Sequence, residues 1–218
     1  QFLKNLFISA FTSYSFKDRS EVKSYDLEEF NSDIGIRYDL TNEISHSIIL
    51  EYLLKDYEIT NTEASNSIKK QGGNNADILL NNKINYYDLD SFFRPSKGSN
   101  ANYLNVISPA TNDDNGYIKN YLKHSKYYTF KKKNIISIKT QLGNIFSLQN
   151  KELSTEDKFS LGGNWLRGFD RYGVGPRESR SSYIGGTNVI AAKFDLNRPI
   201  LGSSDNPIDL NLFTDVGT

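Results

Sequence analysis

The sequence predicts an all-β protein, an antiparallel up-and-down transmembrane β-barrel, present as an incomplete set of about nine strands of a larger barrel. Three observations predict it. Apolar residues recur with period two along most of the chain, the segments between them alternate in length, and no stretch approaches the roughly 18 consecutive apolar residues of a membrane-crossing helix. The third observation excludes helical membrane proteins only. Barrel strands need about 9 to 11 residues with apolar side chains on alternate positions, so they leave no hydropathy peak.

Taken in order, the first strand is expected at about 2–16, where an apolar run opens the chain without any Met. From that opening the sequence is expected to be a fragment, with any leader lost together with the start of translation. The second is the cleanest: Phe30, Ile34, Ile36, Tyr38 and Leu40 fall on one face and Asn31, Asp33, Gly35, Arg37 and Asp39 on the other. Weaker alternation predicts strands at about 43–58, 77–90, 100–108 and 119–131. From 134 to 148 the pattern is again clear, Ile136, Ile138, Leu142, Phe146 and Leu148 opposing Ser137, Lys139, Gln141, Gly143 and Ser147. Two strands close the sequence: Ile190, Ala192, Phe194 and Leu196 alternate with Ala191, Lys193, Asp195 and Asn197, and Ile208, Leu210 and Leu212 with Asp209, Asn211 and Asp215. An odd number of strands cannot form a typical closed bacterial barrel, and an open edge in lipid leaves backbone groups unpaired, so strands are expected to be missing at one or both ends.

Short connections are expected at 39–42, 94–98, 131–133 and 201–206, and long ones at 17–29, 59–76, 109–118 and 149–184. Strict alternation of this kind belongs to a barrel with tight periplasmic turns and long outer loops. Composition agrees without deciding the solvent. The 14 Tyr and 13 Phe fit strands and aromatic girdles, and 26 basic against 26 acidic residues remove the electrostatic case for nucleic acid as a partner. Cys is absent, which excludes disulfides and thiolate metal sites and leaves the redox compartment open.

The segment 159–176 reads FSLGGNWLRGFDRYGVGP; it is followed by IGGTNVIAAKFDLNRPI and, at the end, by LFTDVGT. These three pieces in this order resemble the C-terminal half of the BamA-type outer-membrane assembly family (the bacterial surface antigen family). Its hallmark is an Arg-Gly-Phe tip on a long outer loop that folds back into the lumen. The turn DSFFRPSKGS also looks like the family's periplasmic Pro-x-x-Gly turn, so the resemblance covers at least residues 88–218. Matched residue by residue, it places Arg167, Gly168 and Phe169 on the tip, with Gly162, Gly163, Gly175 and Pro176 flanking it. Asp195 falls on the acidic position of the next strand and Asp215 on that of the strand beyond.

The residues support this carry-over, because Asp195 and Asp215 sit on the polar, odd-numbered faces that must line the lumen if Phe194, Leu210 and Leu212 meet lipid. Arginine suits the role through its planar fork, which holds carboxylates bidentately. Gly168 is expected to give the backbone room. The family usually carries Glu where this chain has Asp195, so a water-bridged contact is expected there and Asp215 is the firmer partner.

What the resemblance implies is a non-enzymatic role: folding and inserting other β-barrel proteins in the bacterial outer membrane. The partners it implies are outer-membrane lipid, unfolded barrel substrates and periplasmic lipoproteins of an assembly complex. Neither the periplasmic POTRA repeats nor a closing C-terminal strand is found, so this piece alone is expected to be inactive. The alternative is a two-partner secretion translocator of the same superfamily, which shares the loop but exports a polypeptide through its lumen.

No cofactor is expected. His46 and His124 are the only histidines and have no companion at metal-ligand spacing, so no metal site is expected. A lipase would need a Ser, His and Asn set, and no spacing singles one out. His46 is expected at the membrane interface, the run Lys131, Lys132 and Lys133 in a solvated turn, and the Gly pairs at 72, 162 and 185 in turns and strand starts rather than phosphate loops.

Overall fold

The computed structural model describes residues 4–109, 116–131, 134–149, 152–179, 182–202 and 207–218. Its frame is a nine-stranded antiparallel sheet. The strands are β1 (Lys4–Asp18), β2 (Tyr25–Asp39), β3 (Ile44–Ile59), β4 (Gly73–Leu89), β5 (Gly98–Ser108), β6 (Tyr117–Phe130), β7 (Asn134–Ser147), β10 (Asn188–Gly202) and β11 (Pro207–Gly217). Every strand pairs with its predecessor in the frame, from edge strand β1 to edge strand β11. Two further short strands, β8 (Arg177–Ser179) and β9 (Ser182–Tyr183), form a hairpin inside the connection 148–187. The one-turn helices α1 (Ser20–Lys23) and α2 (Asn66–Lys69) sit in the connections 19–24 and 60–72.

Period-two alternation gives the sheet two chemically distinct faces. One carries Ile34, Ile36, Leu50, Leu80, Ile138, Leu142, Phe194 and Leu210, all between 37% and 56% exposed. In water such a surface would be an aggregation liability; in a bilayer it is the lipid face. The inner face carries polar side chains and receives the 148–187 connection. One apolar cluster forms beneath that loop and a second beneath the connection 60–72. One gathers Leu53, Leu79, Val106, Ile145, Phe159, Leu161, Leu166 and Val189; the other gathers Tyr25, Leu27, Tyr57, Ala64 and Ile68. The core of this barrel is therefore its inserted loop packed against the strands.

Several boundaries differ from the sequence reading. A connection was expected over 17–29, but β2 begins at Tyr25, because Tyr25 and Leu27 continue the inner face and are fully buried under the loop. Likewise β4 starts at Gly73 instead of 77, and the turn expected at 94–98 runs over 90–97. The strict alternation of short and long connections consequently fails, since 19–24 is shorter than 90–97 and 109–116 is no longer than it. Long strands that rise beyond the apolar band replace the first long loop. Lys132, Lys133 and parts of the expected connections 109–118, 149–184 and 201–206 lie outside the described residues.

Candidate functional site

Asp195 and Asp215 are brought to one place by register. On β10 and β11 the odd positions face inward; Lys193 pairs with Asp215 and Asp195 with Phe213 across the ladder, so the two carboxylates stand diagonally on neighbouring strands. Their side chains are only 7% and 4% exposed. The loop tip descends onto them. The Arg167 backbone N–H donates to Asp215 Oδ2 at 2.9 Å and its Nε to the same oxygen at 2.7 Å. Nη2 donates to Asp215 Oδ1, and Nη1 to Asp195 Oδ1 at 2.6 Å. The guanidinium also lies over the Phe213 ring, 3.7 Å from its centroid. One planar fork thus ties the loop to two strands. The hydrogen bonds to Asp215 and then to Asp195 hold the arginine charged well above its ordinary range.

The contact to Asp195 is direct, where a water bridge was expected. The shorter carboxylate reaches because Arg167 lies low over β11, and Ser137 and Asn211 steady Asp195 at 3.4 and 3.5 Å. Gly168 follows with φ +90, and a Cβ there would meet nothing within 4 Å. Its requirement is therefore the left-handed backbone and not the room expected from the sequence. Phe169 stands outside the ionic cluster: its ring is 55% exposed, while its carbonyl accepts from Gly163 N–H at 3.0 Å. Gly162, Gly163 and Gly175 occupy positive-φ positions along the same folded segment, and the Pro176 carbonyl accepts from Ile184 N–H. Below the tip lies a cavity of about 550 Å³ lined by Arg94, Lys139, Lys193 and Asp209 among others. Arg94, from the 90–97 turn, crosses it to grip Asp209 on β11 with two bonds of 2.6 and 2.8 Å.

A second cluster, which the sequence reading missed, seats the base of the loop. Residues 154–157, Ser-Thr-Glu-Asp, are bound from every side. Lys55 Nζ lies 2.8 Å from Asp77 and 3.2 Å from Asp157, with Lys55 and Asp77 both only 4% exposed. Tyr117 donates to Asp157, and Lys119 to the Asp157 carbonyl. Lys23 and Tyr25 both donate to Glu156 Oε1, at 2.7 and 2.6 Å. Gln71 Oε1 accepts from the Thr155 backbone N–H, and Tyr57 meets Ser154. Burial opposes ionisation of Glu156, but the Lys23 charge and the bonds from Lys23 and Tyr25 outweigh it and pull its carboxyl down to about 2. Burial draws the Lys23 ammonium below its usual range, with Glu156 opposing.

Packing then carries the chain from base to tip. Phe159 sits against Gly143 so closely that a Cβ on that glycine would come within 2.5 Å of its ring, and Lys119 lies over the ring at 4.7 Å. The signal that could have revealed the base was a run of inward Lys and Tyr at the loop ends of β2, β3 and β6 facing the acidic pair Glu156 and Asp157 of the loop. That signal cannot be read until the strands are aligned. Chemically, the whole arrangement is a brace. It holds α1, β2, β3 and β6 at its base and β10 and β11 at its tip.

Three comparisons place this geometry. The Omp85 superfamily domain matches residues 2–218. The chain is similar to the outer membrane protein assembly factor BamA of Neorickettsia risticii (strain Illinois), 26% identical over 219 residues, covering 97% of this chain and 29% of that protein. It is also similar to a SAM50-like protein of Schizosaccharomyces pombe, 36% identical over 84 residues, 38% of this chain and 18% of that protein. Among solved structures, the crystal structure of BamA from Haemophilus ducreyi lacking POTRA domains 1–3 matches with a TM-score of 0.82 at 22% identity, over 98% of this chain and 46% of that one. That likeness shows the fold, a barrel of this type. The chain spans less than a third of the bacterial relative it matches.

Proposed function

The chain belongs to the Omp85 superfamily, and from that premise we propose that the whole protein folds and inserts β-barrel proteins into the outer membrane. It lies in the bacterial outer membrane, with the turns 40–43, 90–97 and 131–133 at the periplasmic end and the 148–187 loop entering from outside. The observation that carries the proposal is the match of 97% of this chain to a protein named an assembly factor, joined to a lumen loop pinned by Arg167 to Asp195 and Asp215. A polypeptide translocator would share the superfamily, but the bacterial relative's name favours assembly.

In this role the residues do no bond chemistry. Backbone edges of the barrel offer N–H and C=O groups to an incoming strand, which pairs by β-augmentation and is released into lipid. The loop keeps the lumen wall in one shape while this happens. Its tip and base sit on opposite parts of the sheet, so strain at an edge is carried across the lumen instead of through successive strand pairs. The partners proposed are unfolded barrel proteins, outer-membrane lipid and periplasmic lipoproteins of an assembly complex.

The test is reconstitution of the full-length protein in liposomes, with an unfolded eight-stranded barrel as substrate and heat-modifiable mobility as readout. Acceleration of substrate folding over empty liposomes is expected. A correctly folded full-length protein that leaves the rate unchanged refutes the reading.

A further inference from the structure

One hydrogen-bonded line of asparagines crosses the lipid face between apolar rows. Asn82 on β4, Asn105 on β5, Asn120 on β6 and Asn144 on β7 are direct cross-strand partners, and Asn188 on β10 stands opposite Asn144. All five lie on the outward parity. Their amides hydrogen-bond in series: Asn82 Nδ2 to Asn105 Oδ1 at 3.4 Å, Asn105 Nδ2 to Asn120 Oδ1 at 2.9 Å, and Asn120 Nδ2 to Asn144 Oδ1 at 3.0 Å. Each amide passes a proton donor to the next, the ladder known from stacked asparagines.

Apolar rows flank the line on both sides. Leu80, Ile107, Ile118 and Phe146 are paired in register toward the loop end; Ile84, Tyr103, Leu122, Leu142 and Ile190 toward the turn end. The line also climbs through the membrane. On β4 Asn82 has Ile78 and Leu80 on one side and Ile84 and Tyr86 on the other, whereas Asn188 opens β10 with Ile190, Phe194 and Leu196 all beyond it. It therefore starts near the middle of the apolar band and ends at its outer rim, as strand tilt requires.

The ladder is open at that rim. Among the described residues Asn144 Nδ2 has no acceptor, and Asn188 Nδ2 donates to Thr187 Oγ1 alone, at 3.3 Å. A groove of about 420 Å³ lies at this end, lined by Asn120, Asn144, Asn188, Leu122, Leu142 and Ile190. Tyr103 borders it, its hydroxyl donating to Asn120 Oδ1 at 2.8 Å.

We propose that this groove is a lipid-binding site for an acyl-ester lipid of the outer leaflet, whose ester carbonyl accepts the free amide N–H groups of Asn144 and Asn188 while its acyl chain lies on Leu122, Leu142 and Ile190. The chemistry selects this occupant. Amide donors left in hydrocarbon without an acceptor are costly, so the open end of the ladder needs one. The groove residues are neutral, which fits an ester and glycerol region better than a phosphate. Their depth, at the rim of the apolar band, is the depth of ester groups. The proposal needs only the outer-membrane placement and is independent of assembly activity.

The test uses the full-length protein, delipidated in detergent and offered dioleoylphosphatidylethanolamine or its dialkyl ether analogue, with bound lipid counted by native mass spectrometry. One ester lipid retained per protein is expected, at least fivefold over the ether, and loss of that preference is expected in N144L/N188L. T140L, on the same face outside the groove, should retain it. Equal retention of ester and ether overturns the proposal, as does equal retention by N144L/N188L. A species of twice the mass that the variant abolishes, with no lipid bound, marks an interface between copies and also overturns it. Heat-modifiable mobility reports folding, and should the double variant fail to fold, the ester-to-ether ratio of the unaltered protein decides alone.

Discussion

Replacing Arg167 by Ala tests the brace most directly. The substitution removes three charge-assisted side-chain hydrogen bonds and leaves the backbone N–H to Asp215 in place. Bonds of this kind contribute about 1.5–3 kcal/mol each when they are dry. The Arg167 side chain is 28% exposed, so water recovers part of that, while Asp195 and Asp215 are left nearly buried without their cation. The net expectation is a loss of about 2–4 kcal/mol for the seated tip, or roughly a 30- to 1000-fold larger open population. Arg167→Lys should restore less than half of it, because a point charge cannot hold both carboxylates.

Hydrogen exchange of the Arg167 amide in the full-length protein reads this out, since that N–H is itself bonded to Asp215. Asp215→Ala should expose it to a similar degree. A coupling of about 1–3 kcal/mol is expected in the double-mutant cycle, because the second change removes a contact already lost. Effects of the two substitutions that add within about 0.5 kcal/mol would refute the lock.

Three other outcomes are expected. Lys55→Ala should cost about 3–5 kcal/mol, because it takes the Lys55 cation from the buried Asp77 and Asp157; protease sensitivity at 152–158 should rise while the Arg167 amide stays protected. On the lipid face Ile138→Arg should cost about 2–4 kcal/mol near the bilayer midplane, whereas inward-facing Lys139→Ser should cost little, as measured by heat-modifiable mobility; equal tolerance would overturn the face assignment. The Glu156 carboxyl, held at about 2 against an ordinary 4.5, contributes stability that is fully present above pH 4.5 and is lost as the pH falls from there toward 2. Acid release of the loop base should follow that window, and Glu156→Gln should flatten it.

The faces of the sheet were legible because period two is a local property. Phe30 to Leu40 and Ile136 to Phe146 declare their outward sides without any knowledge of partners. Strand ends were less legible at the loop end. There Tyr25 and Leu27 are apolar while Asp26 and Glu28 between them are charged, a pattern that reads as loop when the outward residues face water above the bilayer instead of lipid. Only the burial of Tyr25 and Leu27 under the loop makes them strand. The asparagine ladder escaped for a different reason. Asn82, Asn105, Asn120, Asn144 and Asn188 are ordinary polar residues in five separate strands, and a one-residue slip in any pairing would break the line.

The same distinction between local and long-range information separates the two ends of the loop. At the tip, one arginine answers two carboxylates on strands that follow it in the chain, within an unusual glycine-rich segment, so the sequence advertises the pairing. At the base, Asp157 is held by Lys55, Tyr117 and Lys119, and Glu156 by Lys23 and Tyr25; these come from four elements up to 133 residues away. Lysines and tyrosines at the outer ends of strands are common, and nothing in their spacing marks these as a set. Yet the base is the drier hold, since the Lys55 and Asp157 side chains are 4% and 15% exposed while that of Arg167 is 28% exposed. The legible end of the brace is thus the one more open to water, and the illegible end the one that burial covers.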